Sequence, residues 1–409
     1  MFYGWYIVAA ITVIGIIVGG TTYYGFTAMV DPIAATMGWG YTQIALAMTL
    51  RGVESGVMNP IMGAVADRWP AKRLVFLGII ILGIGLLILS QVNSLSMFYV
   101  SFLVIGLGGS LGMQVVPAVV IARWFRRNTG KAFGIMAAGI GSGGFLVPVV
   151  TMMVDTYGWR PFLIGLAISV LVIGLPLSFV FRNRPEDYGT LPDGKLQDDL
   201  DDSRSMQTED VSMGVKEALK TRAFWSIGIA FMLQTAGGSA VLLHIMPYLE
   251  SVEIERSTAS MVAMFLPIIS IPSLLAFGWL SDIYRRNYII TATMLLSSVG
   301  LFLLSIIDGS SFGLIAGFVI VYGAGFGAQM SLRPPIMREY FGSKKFGAIF
   351  GLGSIFITIG AISTPPLAGW VFDTRGVYDP IWLVLSGVCM LGAILILTLP
   401  RTSSGSGHF

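Results

Sequence analysis

The chain has 409 residues, a formal net charge of +3, 55% hydrophobic and only 11% charged residues, and a mean hydropathy of +0.80. A soluble chain carries about a quarter charged residues, so this one cannot cover a water-facing surface and is expected to live in lipid. One cysteine, Cys389, and two well-separated histidines exclude an intramolecular disulfide framework and give no metal-ligand spacing, so neither metal nor cofactor is expected.

Windows of about 20 apolar residues match a hydrocarbon core of roughly 30 Å, and twelve can be drawn. The first, 5–28, contains "MFYGWYIVAAITVIGIIVGGTTYYGF". It lacks a basic n-region and its apolar run is too long for a signal peptide, so it is read as a spanning helix. Tyr23 and Tyr24 at its end either line a cavity or pack. The second, 42–66, holds an anomaly, "MTLRGVESGV", in which Arg51 and Glu54 sit inside an otherwise lipid-compatible stretch. A charge there costs about 2.5–3.5 kcal/mol and usually faces a cavity or a partner. The two are spaced to reach each other along one helix face, and Glu54 lies roughly 20 Å along the axis from Asp67, near the bilayer centre.

Spans 73–91, 95–122, 130–153 and 161–181 complete a first half. The glycine runs "GLGGSLG" and "GIGSGG" read as close helix packing, because no lysine-serine pair follows them and no strand precedes them. Gln114 is a polar residue at cavity depth. Residues 182–221 are polar, rich in Pro and Gly, and acidic from Asp198 to Asp202. They read as a flexible linker ending in a short amphipathic helix around 212–221.

The second half comprises spans 222–249, 257–281, 288–306, 311–337, 345–371 and 380–399. Gln234 and His244 lie in its first helix; His244 can titrate near neutral pH and is a candidate for an outer gate or a proton relay. Arg333 lies in "GAQMSLRPPIMREYF", with no acid in its own apolar run before Glu339. Pro334 and Pro335 follow it, kink the helix and free backbone carbonyls. Tyr322 of the same helix is a possible cavity residue.

The halves repeat. "GAVADRWPAKR" recurs as "GWLSDIYRRN", "RWFRRNTGKAFGI" as "REYFGSKKFGAI", and "DTYGW" as "DTRGV", all roughly 215 positions apart. Arg333 then falls opposite Pro117, so its charge belongs to one half alone. Arg160, Arg256 and Arg375 lie on one side of the twelve spans, Arg51 and Arg333 within them, and every other Lys and Arg on the opposite side. The positive-inside rule places both termini in the cytoplasm of an inner-membrane, multi-pass protein. The expected fold is all-α: an N-terminal six-helix bundle over 1–181, a cytoplasmic linker over 182–221 and a C-terminal bundle with a short tail over 222–409, pseudo-symmetric and rocking about a midplane site.

Gly63, Asp67, Arg68, Lys72 and Arg73, between the second and third spans, resemble the cytoplasmic signature of the major facilitator superfamily, with Trp69-Pro70 in place of the commoner aliphatic-glycine pair. "WFRRNTGKAFGIMAAGIGSGG", "RPEDYGTLPDG", "HIMPYLE" and "EYFGSKKFGAIFG" resemble its oxalate/formate antiporter and monocarboxylate transporter branch, which implies transport of small organic anions. Gly63 and Asp67 share one helix face. Glycine admits a close neighbour, and an anion at a helix C-terminus opposes the macrodipole. Asp67 therefore needs a partner: Arg68, Arg73 or the helix beginning near Lys345. In the second half Gly278, Asp282, Arg285 and Arg286 repeat the arrangement, Asp282 being expected against the helix that starts at Thr129-Gly130. Both sets are read as gates.

The expected function is secondary transport of a small carboxylate by alternating access, coupled to a proton or exchanging for another anion. Arg333 and Arg51 hold the carboxylate, since a guanidinium fork suits it, and Glu54 balances Arg51 and is, with His244, a candidate carrier of the coupled proton. An efflux transporter for lipophilic or cationic compounds, or a non-transporting anion receptor, are the alternatives. The chain is expected to be a monomer and not an enzyme, with the lipid bilayer as its setting and no nucleic-acid partner.

Overall fold

The computed structural model describes residues 2–194, 213–308 and 312–400, so the acidic run Asp198 to Asp202 lies outside them. No β-strand occurs among the described residues. Backbone polar groups in lipid must be satisfied within their own segment, and long helices do this.

The chain divides into two compact units. The first, Met1–Ser212 with Gly342–Leu352, holds α1 (Gly4–Thr22), α2 (Tyr41–Ala66), α3 (Ala71–Ser90), α4 (Leu95–Trp124), α5 (Thr129–Tyr157) and α6 (Trp159–Ser178). The second, Met213–Phe341 with Gly353–Phe409, holds α7 (Arg222–Ser251), α8 (Arg256–Ile283), α9 (Arg286–Leu304), α10 (Phe312–Phe341), most of α11 (Phe346–Arg375) and α12 (Asp379–Leu397). Within each unit the second helix packs on the fourth, and the third on both the fourth and the sixth. The sequence repeat is thus a repeat of packing.

Eleven helices among the described residues are long and apolar enough to cross a membrane. The remaining one, α2, is 26 residues long, and Thr42, Gln43, Arg51, Glu54 and Asn59 dilute its apolar character. Helix starts are fixed by local caps. The Ser94 hydroxyl accepts from the Met97 N–H at 3.4 Å, and the Thr221 hydroxyl from that of Phe224 at 3.2 Å. The first span runs further than the sequence suggests. It widens into a π-helix over Gly19–Tyr24 and resumes as a helix over Thr27–Met37, with Pro32 inside.

Glycines place the helices close together. A Cβ on Gly20 would lie 2.4 Å from the Gly143 carbonyl oxygen, where α5 tightens into a 3-10 turn over Gly143–Leu146. The fourth helix of each half is also irregular: α4 contains a π-helix over Ser110–Gln114, and α10 breaks at Ala328.

Residues 182–194, expected to be flexible linker, are folded onto the first unit. The Arg182 guanidinium lies 3.8 Å from the Tyr3 ring centroid and 4.1 Å from that of Tyr188. The Asn183 carbonyl oxygen accepts the Ala71 N–H at 2.6 Å, and Asp193 accepts those of Arg126 and Arg127 at 2.9 and 2.6 Å. The short helix before α7 covers Val215–Lys220.

Candidate functional site

In the first unit, Arg51 and Glu54 lie one turn apart on α2, both against α4. An Arg51 Nη1 donates to the Thr22 carbonyl at 3.3 Å, on the π-helical stretch that ends α1. The Thr22 hydroxyl donates in turn to the Val18 carbonyl at 2.6 Å. Beside Arg51 is a cavity of about 10 Å³, bordered also by Thr21, Phe26, Leu86 and Phe102, which is room for one water. The Glu54 oxygens are shut off from solvent and lack a hydrogen bond of good geometry. The hydrogen-bonded Arg51–Glu54 pair that the spacing allows is therefore not formed. Both side chains instead lie along glycines of α4. A Cβ on Gly106 would sit 2.1 Å from Glu54 Oε2 and 3.5 Å from Arg51 Cγ, and one on Gly109 would sit 4.0 Å from an Arg51 Nη. The glycine run read as helix packing thus also makes room for charge. Gln114 ends the π-helix of α4 with its side chain exposed. The side chains of Tyr23 and Tyr24 lie outside the described residues.

In the second unit, Arg333 follows the break in α10, flanked by buried Leu332 and Pro334. Its Nη2 donates to the Ser354 hydroxyl at 2.9 Å. One turn earlier the Gln329 amide donates to the Thr235 hydroxyl. One turn beyond Thr235, the Ser239 hydroxyl donates to the Gly360 carbonyl at 3.4 Å. These side chains make polar contacts between α7, α10 and α11. Gln234 turns the other way. It is 1% exposed, and its amide nitrogen donates to Ser297 and to the Gly325 carbonyl, both at 3.4 Å, so it ties three helices together. Tyr322 is buried and stacked between Phe318 and Phe326.

His244 uses both ring nitrogens. Nε2 lies 2.9 Å from the Pro365 carbonyl and Nδ1 3.2 Å from the Tyr378 hydroxyl. A carbonyl only accepts, so Nε2 carries a proton, and the neutral ring takes the Tyr378 proton on Nδ1. Burial, then the charge of Asp373, pushes the Tyr378 hydroxyl above its ordinary value, which keeps it a donor.

At the far end of α2, Asp67 meets a helix start. Its Oδ1 and Oδ2 accept the N–H groups of Gly347 and Ala348, each at 3.0 Å, in the first turn of α11. The carboxylate supplies what orphan N–H groups at a helix N-terminus lack. The approach requires Gly63, where a Cβ would lie 1.9 Å from the Gly347 carbonyl oxygen. Arg123, at the end of α4, completes the cluster at 3.6 Å. Burial pushes the Asp67 carboxyl above the usual aspartate value, against the pull of the two N–H groups, Arg123 and Lys345. The side chains of Arg68 and Arg73 are exposed and make no hydrogen bond or ion pair among the described residues. The cation expected from the neighbouring loop thus comes from another helix, because the turn after Asp67 points its own arginines outward.

The matching corner of the second unit carries a chain of side-chain ion pairs. Arg286 reaches Asp282 at 3.4 Å and Glu339 at 2.9 Å. Arg285 is exposed and donates to the Tyr288 hydroxyl at 3.3 Å. Gly278 is buried, and its carbonyl accepts from Ser281 at 2.8 Å.

The family model described as Major Facilitator Superfamily matches residues 12–271 and 235–408. The chain belongs to the Major Facilitator Superfamily. It is a multi-pass membrane transporter of that superfamily and not an enzyme. Among its relatives, monocarboxylate transporter 12 of Rattus norvegicus is 27% identical over 384 residues, covering 87% of this chain and 77% of that protein. The MFS transporter asaE of Aspergillus flavus is 25% identical over 353 residues, covering 84% and 74%. A structure of the proton:xylose symporter XylE bound to 6-bromo-6-deoxy-D-glucose matches with a TM-score of 0.74 at 14% identity, over 98% of this chain and 97% of that one. The last likeness concerns the superfamily's fold.

Arg123, Glu339, Thr235, Ser239, Gln329 and Ser354 were not legible as site residues. Gln329 carried a signal: it lies 215 positions after Gln114, the offset of the internal repeat, and each glutamine sits at the irregularity of its helix.

Proposed function

We propose that the protein moves a small organic anion, a carboxylate, across the cytoplasmic membrane by alternating access, coupled to a proton or to a counter-anion. Arg333 is the anchor: its planar fork recognises the two oxygens of a carboxylate. Arg51 is the second cationic contact, and Gln329, Thr235 and Ser239 orient the remainder of the cargo. Asp67 with Gly63 and Arg123, and Asp282 with Arg286, are latches that tighten and release during the cycle. His244 restrains one end of α7.

The observation that carries this reading is the placement of Arg333. A guanidinium within a membrane span is costly and usually faces a cavity or a partner, and an Arg333 Nη donates to the Ser354 hydroxyl. Arg51 and Arg333 outnumber Glu54 among the charges inside the spans, a balance that favours an anion over a cation. The relatives named as monocarboxylate transporters support the same class. The one-sided distribution of Lys and Arg supports both termini on the cytoplasmic side.

Uptake into proteoliposomes tests it. Saturable accumulation of labelled acetate, pyruvate or oxalate, abolished by Arg333→Gln, is the expected result. Saturable binding without uptake, or accumulation of lipophilic cations instead, overturns it.

A further inference from the structure

We infer that the Glu54 carboxyl is the proton-binding site of the transport cycle, seated in a slot that Gly106 leaves open on α4. The inference rests on the carboxylate-transport reading and adds its coupling ion.

The first observation is an accounting one. A carboxylate offers about four lone-pair positions, and buried acceptors nearly always find donors. Both Glu54 oxygens are shut off from solvent and lack a hydrogen bond of good geometry, with the adjacent Ser55 hydroxyl the nearest candidate donor. An ionised carboxylate left that way is among the most costly groups a fold can hold. A bound proton removes that cost, so this carboxyl is built to exist in both forms.

The second observation is the slot. A Cβ at position 106 would lie 2.1 Å from Oε2 and 3.0 Å from the carboxyl carbon. A methyl group at position 106 would displace the Glu54 carboxyl from the seat it occupies.

The third is the company Glu54 keeps. The ionisable residues on α4 are Tyr99, whose hydroxyl donates to the Gln43 carbonyl at 3.1 Å, and Arg123, held at Asp67. Lys344 and Lys345 of the segment Gly342–Leu352 belong to the Asp67 end of α2, more than two turns away. The helix Thr27–Met37 carries Asp31, whose side chain lies outside the described residues. Among the described residues of these elements the charged group beside Glu54 is Arg51, one turn earlier, which donates to Thr22 and lies along the same glycine face, and the Ser55 hydroxyl is the neighbouring polar group.

This placement gives coupling by charge arithmetic. With Glu54 ionised, Arg51 and Glu54 sum to zero. A proton added to one Glu54 oxygen, with no bond broken, leaves the pair at +1 and favours an anion. By reciprocity, a bound anion strengthens proton binding by the same factor. Proton and carboxylate then enter and leave together.

The test has two readouts on purified protein in lipid. Infrared difference spectra across pH follow the carboxylic-acid C=O stretch in wild type and Glu54→Gln; a titrating band is expected in wild type and lost in the variant. In proteoliposomes, accumulation of labelled carboxylate driven by a pH gradient should fall by about tenfold or more in Glu54→Gln, while exchange without a gradient persists. Glu54→Asp, which keeps the acid but withdraws it from the slot, should retain coupling with a displaced pH profile. An unchanged band in Glu54→Gln, or gradient-driven accumulation equal to wild type, overturns the proton site. A Glu54 band in a wild type that exchanges no carboxylate overturns the transport reading, and the coupling role falls with it.

Discussion

The two corners built by the repeated loop differ in how an aspartate is held. Asp67 is 1% exposed in its side chain, with Arg123 at 8%, and both its oxygens accept backbone N–H groups. Asp282 is 6% exposed, and its cation, Arg286, is 14% exposed and shared with Glu339 at 26%. Duplication kept the acid, and in the second unit placed beside it a side-chain cation shared with a second acid. The first corner is a rigid latch, because backbone N–H groups cannot turn away. The second is a relay in which Arg286 holds two acids, so losing one leaves it paired. Changes in the first corner should therefore cost more.

The largest effect is expected for Asp67→Ala. It strands two N–H groups and a buried guanidinium, a loss of about 3 kcal/mol, and transport should fall by an order of magnitude or more at normal surface expression. Gly63→Ala comes next, at about 2 kcal/mol. Its methyl group would meet the Gly347 carbonyl oxygen, and a thermal melt of the purified protein reads the loss. Arg123→Gln removes the cation and leaves both N–H bonds, so a melt should show about 1.5 kcal/mol. Asp282→Ala should cost about 1 kcal/mol or less, since Glu339 still holds Arg286. Equal losses for Asp67→Ala and Asp282→Ala would erase the distinction between latch and relay.

The smallest effect concerns pH. Burial places the folded Asp67 carboxyl above its unfolded value, so the folded chain takes up this proton first on acidification. Its contribution to stability then rises as pH falls through that window. Asp67→Asn cannot titrate, so wild type should gain in melting temperature over Asp67→Asn as pH drops. A constant difference would contradict the assignment.

The spans were legible because apolar length is a strong signal in lipid, and α2 was legible despite its polar residues. The stretch after α1 was not: the first apolar window stops at residue 28, yet a helix covers Thr27–Met37 with Pro32 inside it. Asp67 was legible from the loop pattern and the helix beginning near Lys345 from its position, but Arg123 was not. It lies 56 residues away, and sequence proximity favoured Arg68 and Arg73. For Arg51 and Glu54 the shared helix face was legible, but the glycines of α4 beside both side chains and the π-helical carbonyl on α1 that accepts from Arg51 were not. Such glycine-made space leaves no mark on the sequence of α2.

The anchor role of Arg333 is tested most directly by a thermal-shift panel of mono- and dicarboxylates on purified wild type, Arg333→Gln and Gln234→Leu. Gln234 is wholly engaged between helices, so Gln234→Leu should melt lower yet keep its ligand shift. Stabilisation by a carboxylate in wild type and Gln234→Leu, absent in Arg333→Gln, is the predicted result. The same shift in Arg333→Gln as in wild type would contradict the account.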